Sequence, residues 1–348
     1  VIAGERPIFF PANNGREPLF IYLQAAAIAL LGNTPFSLRI VSALAGCATV
    51  GLAYLVGREL HGGRAGYLAA FWLAISYWHV SLSRLGFRAV LLPLAELCCI
   101  YVLLRALRHG KRSMAWLAGL LLGLSFYTYG SARLFPPVLP FVVLAVWKSH
   151  GRAWGITGIR VRRVTLIVCV VAALTVLPLG LYFVAHPEYA LGRAQQVTLG
   201  SSSDPRVWRD NLRPRTLPEN ALVTLGMLGF VGDENVRHNL PGRPVFDVPT
   251  FVLFVYGAIS GLRRQTRWIG LLYLPWLLLL MVPGAIAVEA PHFLRTVGAL
   301  PPTFLLLGVA GDRLLQRARA TWWITAAIAV LLAHGTVDTY RSYFQAFA

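Results

Sequence analysis

Residues 164–185 read VTLIVCVVAALTVLPLGLYFVA, a stretch of 22 residues without a charged side chain. A bilayer core about 30 Å thick needs roughly 20 apolar residues of α-helix, so this length and composition describe a membrane span. A helix is the element to expect, because an open strand leaves backbone groups unsatisfied in hydrocarbon. Lys148, Arg152, Arg160, Arg162 and Arg163 precede the stretch. After it, His186-Pro187-Glu188-Tyr189 opens the long polar segment 186–248.

The same reading extends outward over the whole chain. Of 348 residues, 57% are apolar and 13% are charged. Soluble domains run at about 45–50% apolar and about 25% charged, so disorder, a coiled coil and a collagen-like chain are excluded, and a soluble single-core enzyme is disfavoured. Ten spans emerge: 36–60, 65–83, 88–107, 114–130, 133–147, 164–185, 249–262, 268–287, 296–312 and 321–337. Residues 18–32 form a shorter apolar helix suited to the membrane interface, and 218–231 (PENALVTLGMLGFV) reads as a second one. The fold class is all-α, a polytopic transmembrane helical bundle. Residues 1–348 form one membrane module, in which 1–35 closes an outer loop and adds the interfacial helix, and 186–248 is a large outer loop. The chain opens at Val1 with no signal-peptide pattern, so it is expected to begin inside a longer protein.

Charge gives the topology. Lys+Arg number 32 against 14 Asp+Glu, a net +18. Alternate connections (58–64, 105–112, 148–163, 263–267 and 312–319) hold 17 Lys+Arg and two acids. The other side holds 15 Arg and 11 acids, and Glu96 lies within a span. The basic side should be cytoplasmic, with both ends of the chain outside. The positive charge therefore reports orientation, and a nucleic-acid partner is excluded. Cys47, Cys98, Cys99 and Cys169 sit in apolar runs without metal-ligand spacing and read as packed thiols.

Chemistry concentrates outside. The segment 232–244, GDENVRHNLPGRP, packs Asp233, Glu234, Arg237, His238 and Arg243 among turn formers. It reads as a substrate-binding loop or as a solvated loop whose charges pair among themselves. Asp233, Glu234 and His238 do not follow a known ligand spacing, so no metal or other cofactor is expected. Arg16 and Glu17 enter the interfacial helix. Arg84 and Arg88 flank a tight turn and, if helical, share one face. Tyr127 and Tyr129 precede Arg133, and His292 and Arg295 head the span 296–312. The tyrosines belong either to the interfacial aromatic belt or to a pocket, and single arginines can contact lipid headgroups. As a set, five outer turns presenting Arg or His at one depth suit an anion-binding cavity, since Arg binds phosphate in a planar, bidentate way. Glu96, mid-span, is a functional candidate or an interhelical hydrogen-bonding group.

The succession GREPLFIYL (15–23), SRLGFR (83–88), LAGLLLGLSFYTY (117–129), GDENVRHNLPGRP (232–244) and PHFLRTVGALPP (291–302) resembles polytopic GT-C glycosyltransferases. It is most similar to dolichyl-phosphate-mannose protein mannosyltransferase-like enzymes (glycosyltransferase family 39), whose bacterial relatives include the aminoarabinose transferases that modify lipid A. The resemblance implies a GT-C-like bundle in the plasma or inner membrane with its active site on the outer face. It implies a polyprenyl-phosphate-linked sugar donor, inversion at the anomeric carbon, and an acceptor hydroxyl on protein, lipid or glycan. The acidic motif of the first outer loop is expected before Val1, and its role is not given to Glu5 or Glu17. An acid found in many relatives after the SR turn is here replaced by Phe87-Arg88-Ala89. Under this reading Arg84, Arg88, Arg133, Arg237, His238, His292 and Arg295 bind the donor phosphate. Asp233 and Glu234 assist the acceptor, and Arg16, Glu17, Tyr127 and Tyr129 line the substrate pocket. The competing class is a multi-pass lipid or glycan transporter or flippase, which would show deep ionisable groups and repeated halves. Only Glu96 is deep, and no repeat is visible. A lipid-linked polymerase or ligase uses the same donor type and stays open.

Overall fold

A computed structural model gives the architecture and describes residues 6–12, 15–189, 198–199, 215–317 and 322–347. The early helices are α1 (Leu19–Leu31), α2 (Pro35–His61), α3 (Gly63–Ala74), α4 (Tyr77–Arg84), α5 (Leu91–His109), α6 (Arg112–Ser125), α7 (Leu139–His150) and α8 (Gly158–Ala185). They are followed by α9 (Leu217–Gly226), α10 (Val248–Leu262), α11 (Arg267–Ala285), α12 (Leu300–Arg317) and α13 (Trp322–Tyr340). The sequence explains where several begin. Thr34, Thr157 and Asp247 each accept a backbone N–H in the first turn of α2, α8 and α10. Thr216 and Glu219 form a reciprocal cap on α9.

Five segments among the described residues are long and apolar enough to cross a bilayer: Pro35–His61, Arg88–His109, Gly130–His150, Gly158–Ala185 and Arg264–Ala285. The other expected spans are also helical, but shorter or more charged. The expected span 65–83 is two helices, because Ser76 is extended (φ −70°, ψ 126°) and starts α4 afresh. The interfacial helix at 218–231 ends at Gly226, after which the chain turns to build the loop described below. The loop 200–205 and the turn at Asn13-Asn14 lie outside the described residues.

Small residues set the packing. Gly119 and Gly123 of α6 face Val168, Val171 and Thr175 of α8 so closely that a Cβ would clash. Gly308 of α12 meets Ala65 and Ala69 of α3 in the same way. Close backbone approach through small residues is how helices associate where lipid removes the hydrophobic drive. Residues 300–312 of α12 are all buried, so this helix runs through the core. By contrast, α8 exposes Leu166, Val170, Leu174, Leu177, Leu181 and Val184. Their spacing of three and four residues makes one apolar stripe facing outward, as lipid contact requires.

The bundle has a basic end and a mixed-charge end. At the basic end lie the C-termini of α2, α5 and α12 and the N-termini of α8 and α11. Arg108 pairs with Glu59 at 2.7 Å and Arg64 with Asp312 at 3.1 Å. Arg160 donates to the carbonyls of Leu107, Arg108 and Trp154. His61 bonds the Tyr273 hydroxyl at 2.8 Å and stacks on Trp268. In the interior, Glu96 is fully buried and its Oε2 accepts from Trp276 Nε1 at 3.2 Å. It therefore bridges α5 and α11.

Candidate active site

At the mixed-charge end the segment 227–246 closes on itself. Val245 and Phe246 N–H donate to the carbonyls of Met227 and Leu228, both at 2.9 Å. Gly232 N–H donates to Gly242 O at 3.0 Å, and Gly242 N–H returns to Asp233 O. A Cβ on Gly232 would collide with the Arg243 backbone, so glycine is required there. Gly242 has φ +73°, the left-handed region that favours glycine. Asn239 ties both limbs, its Nδ2 donating to Asp233 O at 2.7 Å and Arg243 O at 3.1 Å.

This closure buries Asp233. Its Oδ1 accepts from Asn235 N–H at 2.9 Å. Its Oδ2 accepts from His238 Nε2 and from Phe293 N–H, both at 2.7 Å. His292 Nδ1 lies 3.7 Å from the same Oδ2. The His238 and His292 rings are nearly parallel, 14° apart with centroids at 5.1 Å. Asp233 and His238 are 2% exposed and His292 8%, so the cluster is buried. Burial alone would raise the Asp233 carboxyl; the His238 hydrogen bond, the His292 and His238 charges and the Asn235 N–H outweigh it and hold it below the usual range. Among the described residues, Asp233, His238 and His292 form a group that could hold a metal ion, with ligand atoms within 4.8 Å of one another.

A second polar pair lies beside it. Arg88 Nε meets Glu17 Oε2 at 3.2 Å, and its guanidinium lies over Tyr129 at 5.5 Å. Phe87, the residue before Arg88, puts its ring edge-on to His238 at 6.0 Å. Ser131 Oγ donates to Arg295 O at 2.9 Å, and Trp78 Nε1 donates to Phe293 O at 3.1 Å. Segments near 17, 87, 129, 233 and 292 thus meet at one end of the bundle.

The structure separates some expected partners. Arg84 and Arg88 do not share a helix face. Arg84 ends α4, Gly86 turns with φ +74°, and Arg88 opens the next helical turn. Arg84 lies over Phe344 at 4.9 Å, and Arg133 over Phe183 at 5.3 Å. Tyr127 commits its hydroxyl to Thr175 O of α8 at 2.9 Å. Arg16, Glu234 and Arg237 are exposed. Asn239, Trp78 and the Phe293 N–H escaped the sequence reading. Asn239 lies within the quoted motif, but nothing in the sequence marks Trp78. Arg243 pairs with Asp338 of α13 and lies over Tyr77 at 4.4 Å.

Comparison with known proteins finds similarity in part of the sequence and in the fold. Residues 14–184 match the family model described as dolichyl-phosphate-mannose-protein mannosyltransferase. No curated protein matches the chain in sequence. Among solved structures the chain is similar to ArnT from Cupriavidus metallidurans in the apo state, with 18% identity, TM-score 0.56, and 90% of this chain and 52% of ArnT covered. The undecaprenyl-phosphate-bound form of that ArnT gives 16% identity and TM-score 0.57, covering 95% of this chain and 63% of that one. The Archaeoglobus fulgidus oligosaccharyltransferase AglB, in complex with an inhibitory peptide and a dolichol-phosphate, gives 16% identity and TM-score 0.60, covering 99% of this chain and 49% of AglB. The chain spans 49–63% of the length of these proteins. The chain is thus similar in residues 14–184 to that mannosyltransferase family, and over most of its length it shares the membrane-helix fold of ArnT and AglB.

Proposed function

We propose that the chain is an integral-membrane glycosyltransferase. It moves a sugar from a polyprenyl-phosphate-linked donor to an acceptor hydroxyl of a protein, lipid or glycan at the outer membrane face. The observation that carries this reading is the meeting of Glu17–Arg88, Tyr129, Ser131–Arg295 and Asp233–His238–His292 at the mixed-charge end. That end is the outer one if the basic loops stay in the cytoplasm. The undecaprenyl phosphate bound to ArnT and the dolichol-phosphate bound to AglB support a lipid-phosphate donor.

In this reading Arg88, aimed by Glu17, and Arg295 stabilise the charge that develops on the phosphate. Prepositioned donors in a water-poor site are the largest single source of such stabilisation. The acceptor oxygen attacks the anomeric carbon opposite the phosphate and inverts it. The carbon–oxygen bond to phosphate breaks, and the lipid phosphate leaves with the electron pair. The acceptor proton passes to a carboxylate, for which exposed Glu234 is the candidate this chain supplies. Apolar grooves between helices take the lipid.

The test uses the full-length enzyme and a radiolabelled polyprenyl-phosphate sugar. Arg88→Ala and Arg295→Ala should abolish most transfer, while Arg84→Ala and Arg133→Ala should lower it less. Unchanged transfer in all four variants would sink the phosphate-site assignment.

A further inference from the structure

We propose that the groove between α7, α10 and α11 seats one anionic phospholipid from the bilayer leaflet at the basic end. The inference stands apart from the transfer reaction and rests on the shape and charge of that groove. It measures about 840 Å³, within the range of cavities that hold a small ligand. One wall is a stripe of α11. Arg267, Leu271, Leu274, Leu278 and Val282 recur every three or four residues and so share one helix face. From α7 come Phe141 and Lys148, two turns apart. Gly261 of α10 and Gly270 of α11 line the floor. They approach so closely that a Cβ on either would strike the other's backbone. Apart from Lys148 and Arg267, no lining residue is charged.

This division of charge calls for an amphiphile with an anionic head. Lys148 and Arg267 are both exposed, close to the end of α7 and at the start of α11. Phe141, Leu278 and Val282 are exposed as well, so the apolar part of the groove opens toward hydrocarbon. Basic pockets between membrane helices hold anionic headgroups in this way. A zwitterionic lipid would bring its own ammonium beside the two cations. Position separates this lipid from the polyprenyl-phosphate donor. From Arg267 to Val282, α11 rises about 22 Å, against roughly 15 Å for the hydrocarbon of one leaflet. An acyl chain whose phosphate rests on Lys148 and Arg267 therefore lies in the groove for its full depth. The donor phosphate of the proposed reaction belongs with Arg88 and Arg295, at the other end of the bundle. One phosphate cannot sit at both ends, so the lipid seated here is a second one and is not consumed.

The experiment is lipid binding by the purified full-length protein in detergent, read by native mass spectrometry and thermal melting with phosphatidylglycerol or phosphatidylcholine. We expect about one phosphatidylglycerol per chain and a higher melting temperature, with phosphatidylcholine held at least about tenfold more weakly. Lys148→Gln combined with Arg267→Gln should weaken phosphatidylglycerol by about tenfold or more. Leu274→Trp, which fills the groove and leaves both cations, should weaken it too. Lys111→Gln combined with Arg112→Gln, at basic residues outside the groove, should leave it unchanged. Equal binding of the two lipids by the wild type overturns the inference, and that comparison needs no variant to fold. So does full affinity in either groove variant that elutes as a single species, or an equal loss in the Lys111 and Arg112 control. Tighter binding of a polyprenyl phosphate that depends on Lys148 and Arg267 overturns it as well. Binding is read without any activity, so failure of the transferase reading leaves the result intact.

Discussion

The two ends of the bundle use charge in opposite ways. At the basic end the described ion pairs are one-to-one, Arg108 with Glu59 and Arg64 with Asp312. Arg160 covers the carbonyls that close α5 and its neighbouring turn, Arg108 takes Glu59, and Arg313 donates to Ser260 Oγ at 2.6 Å. These contacts finish helix termini, where cations near the C-terminus are favourable. At the mixed-charge end several polar groups from different segments converge on one carboxylate. Glu17 meets Arg88, and Asp233 meets His238, His292 and Phe293 N–H. Charge that only ends helices needs no convergence, whereas charge that handles a ligand does. Convergence, and not abundance, therefore marks the working end.

Substitutions at the two ends should break or sharpen this contrast. The largest effect belongs to Arg88→Ala, expected to lower sugar transfer by about 100- to 1000-fold, the usual consequence of losing a preorganised donor. Transfer at wild-type rate would move phosphate binding elsewhere. Next comes Glu17→Gln, which keeps the shape but loosens the aim of Arg88. Hydrogen bonds to charged groups are worth about 1.5–3 kcal/mol, so the rate should fall roughly tenfold or more. A drop as deep as that of Arg88→Ala would make Glu17 a direct participant. Between the ends, Glu96→Ala strands the buried Trp276 N–H and should destabilise the bundle by about 1–3 kcal/mol in detergent melting, while Glu96→Gln keeps an acceptor and stays near wild type. Equal loss from both would point to a need for the carboxyl itself. The smallest change is expected from Arg160→Ala at the basic end. It should lower stability by about 0.3–1 kcal/mol and leave transfer intact. A transfer defect there would erase the distinction between the ends.

Hydropathy and charge alternation made the bundle legible. The stretch 164–185 lies wholly within α8, and 36–60 lies within α2, because long apolar runs have one stable solution in lipid. The break at Ser76 was not legible, since Trp78 is drawn to Phe293 by a contact between residues distant in sequence. The candidate site divides the same way. The segment 232–244 stands out by composition, and Asp233 and His238 lie within it. That His292 joins them, and that Arg84 and Arg88 part company, depend on how helices pack and on the Gly86 turn. Spacing along the chain carries neither fact.

The self-closed loop 227–246 has an entropic consequence. Its two ends are pinned side by side by the Met227–Val245 and Leu228–Phe246 bonds, and its middle by Asn239. Ordering a flexible residue costs about 1–2 kcal/mol of backbone freedom, and here the loop's own hydrogen bonds supply that ordering. None of a ligand's interaction energy is then diverted into folding the segment it touches, and affinity can rest on a few short contacts.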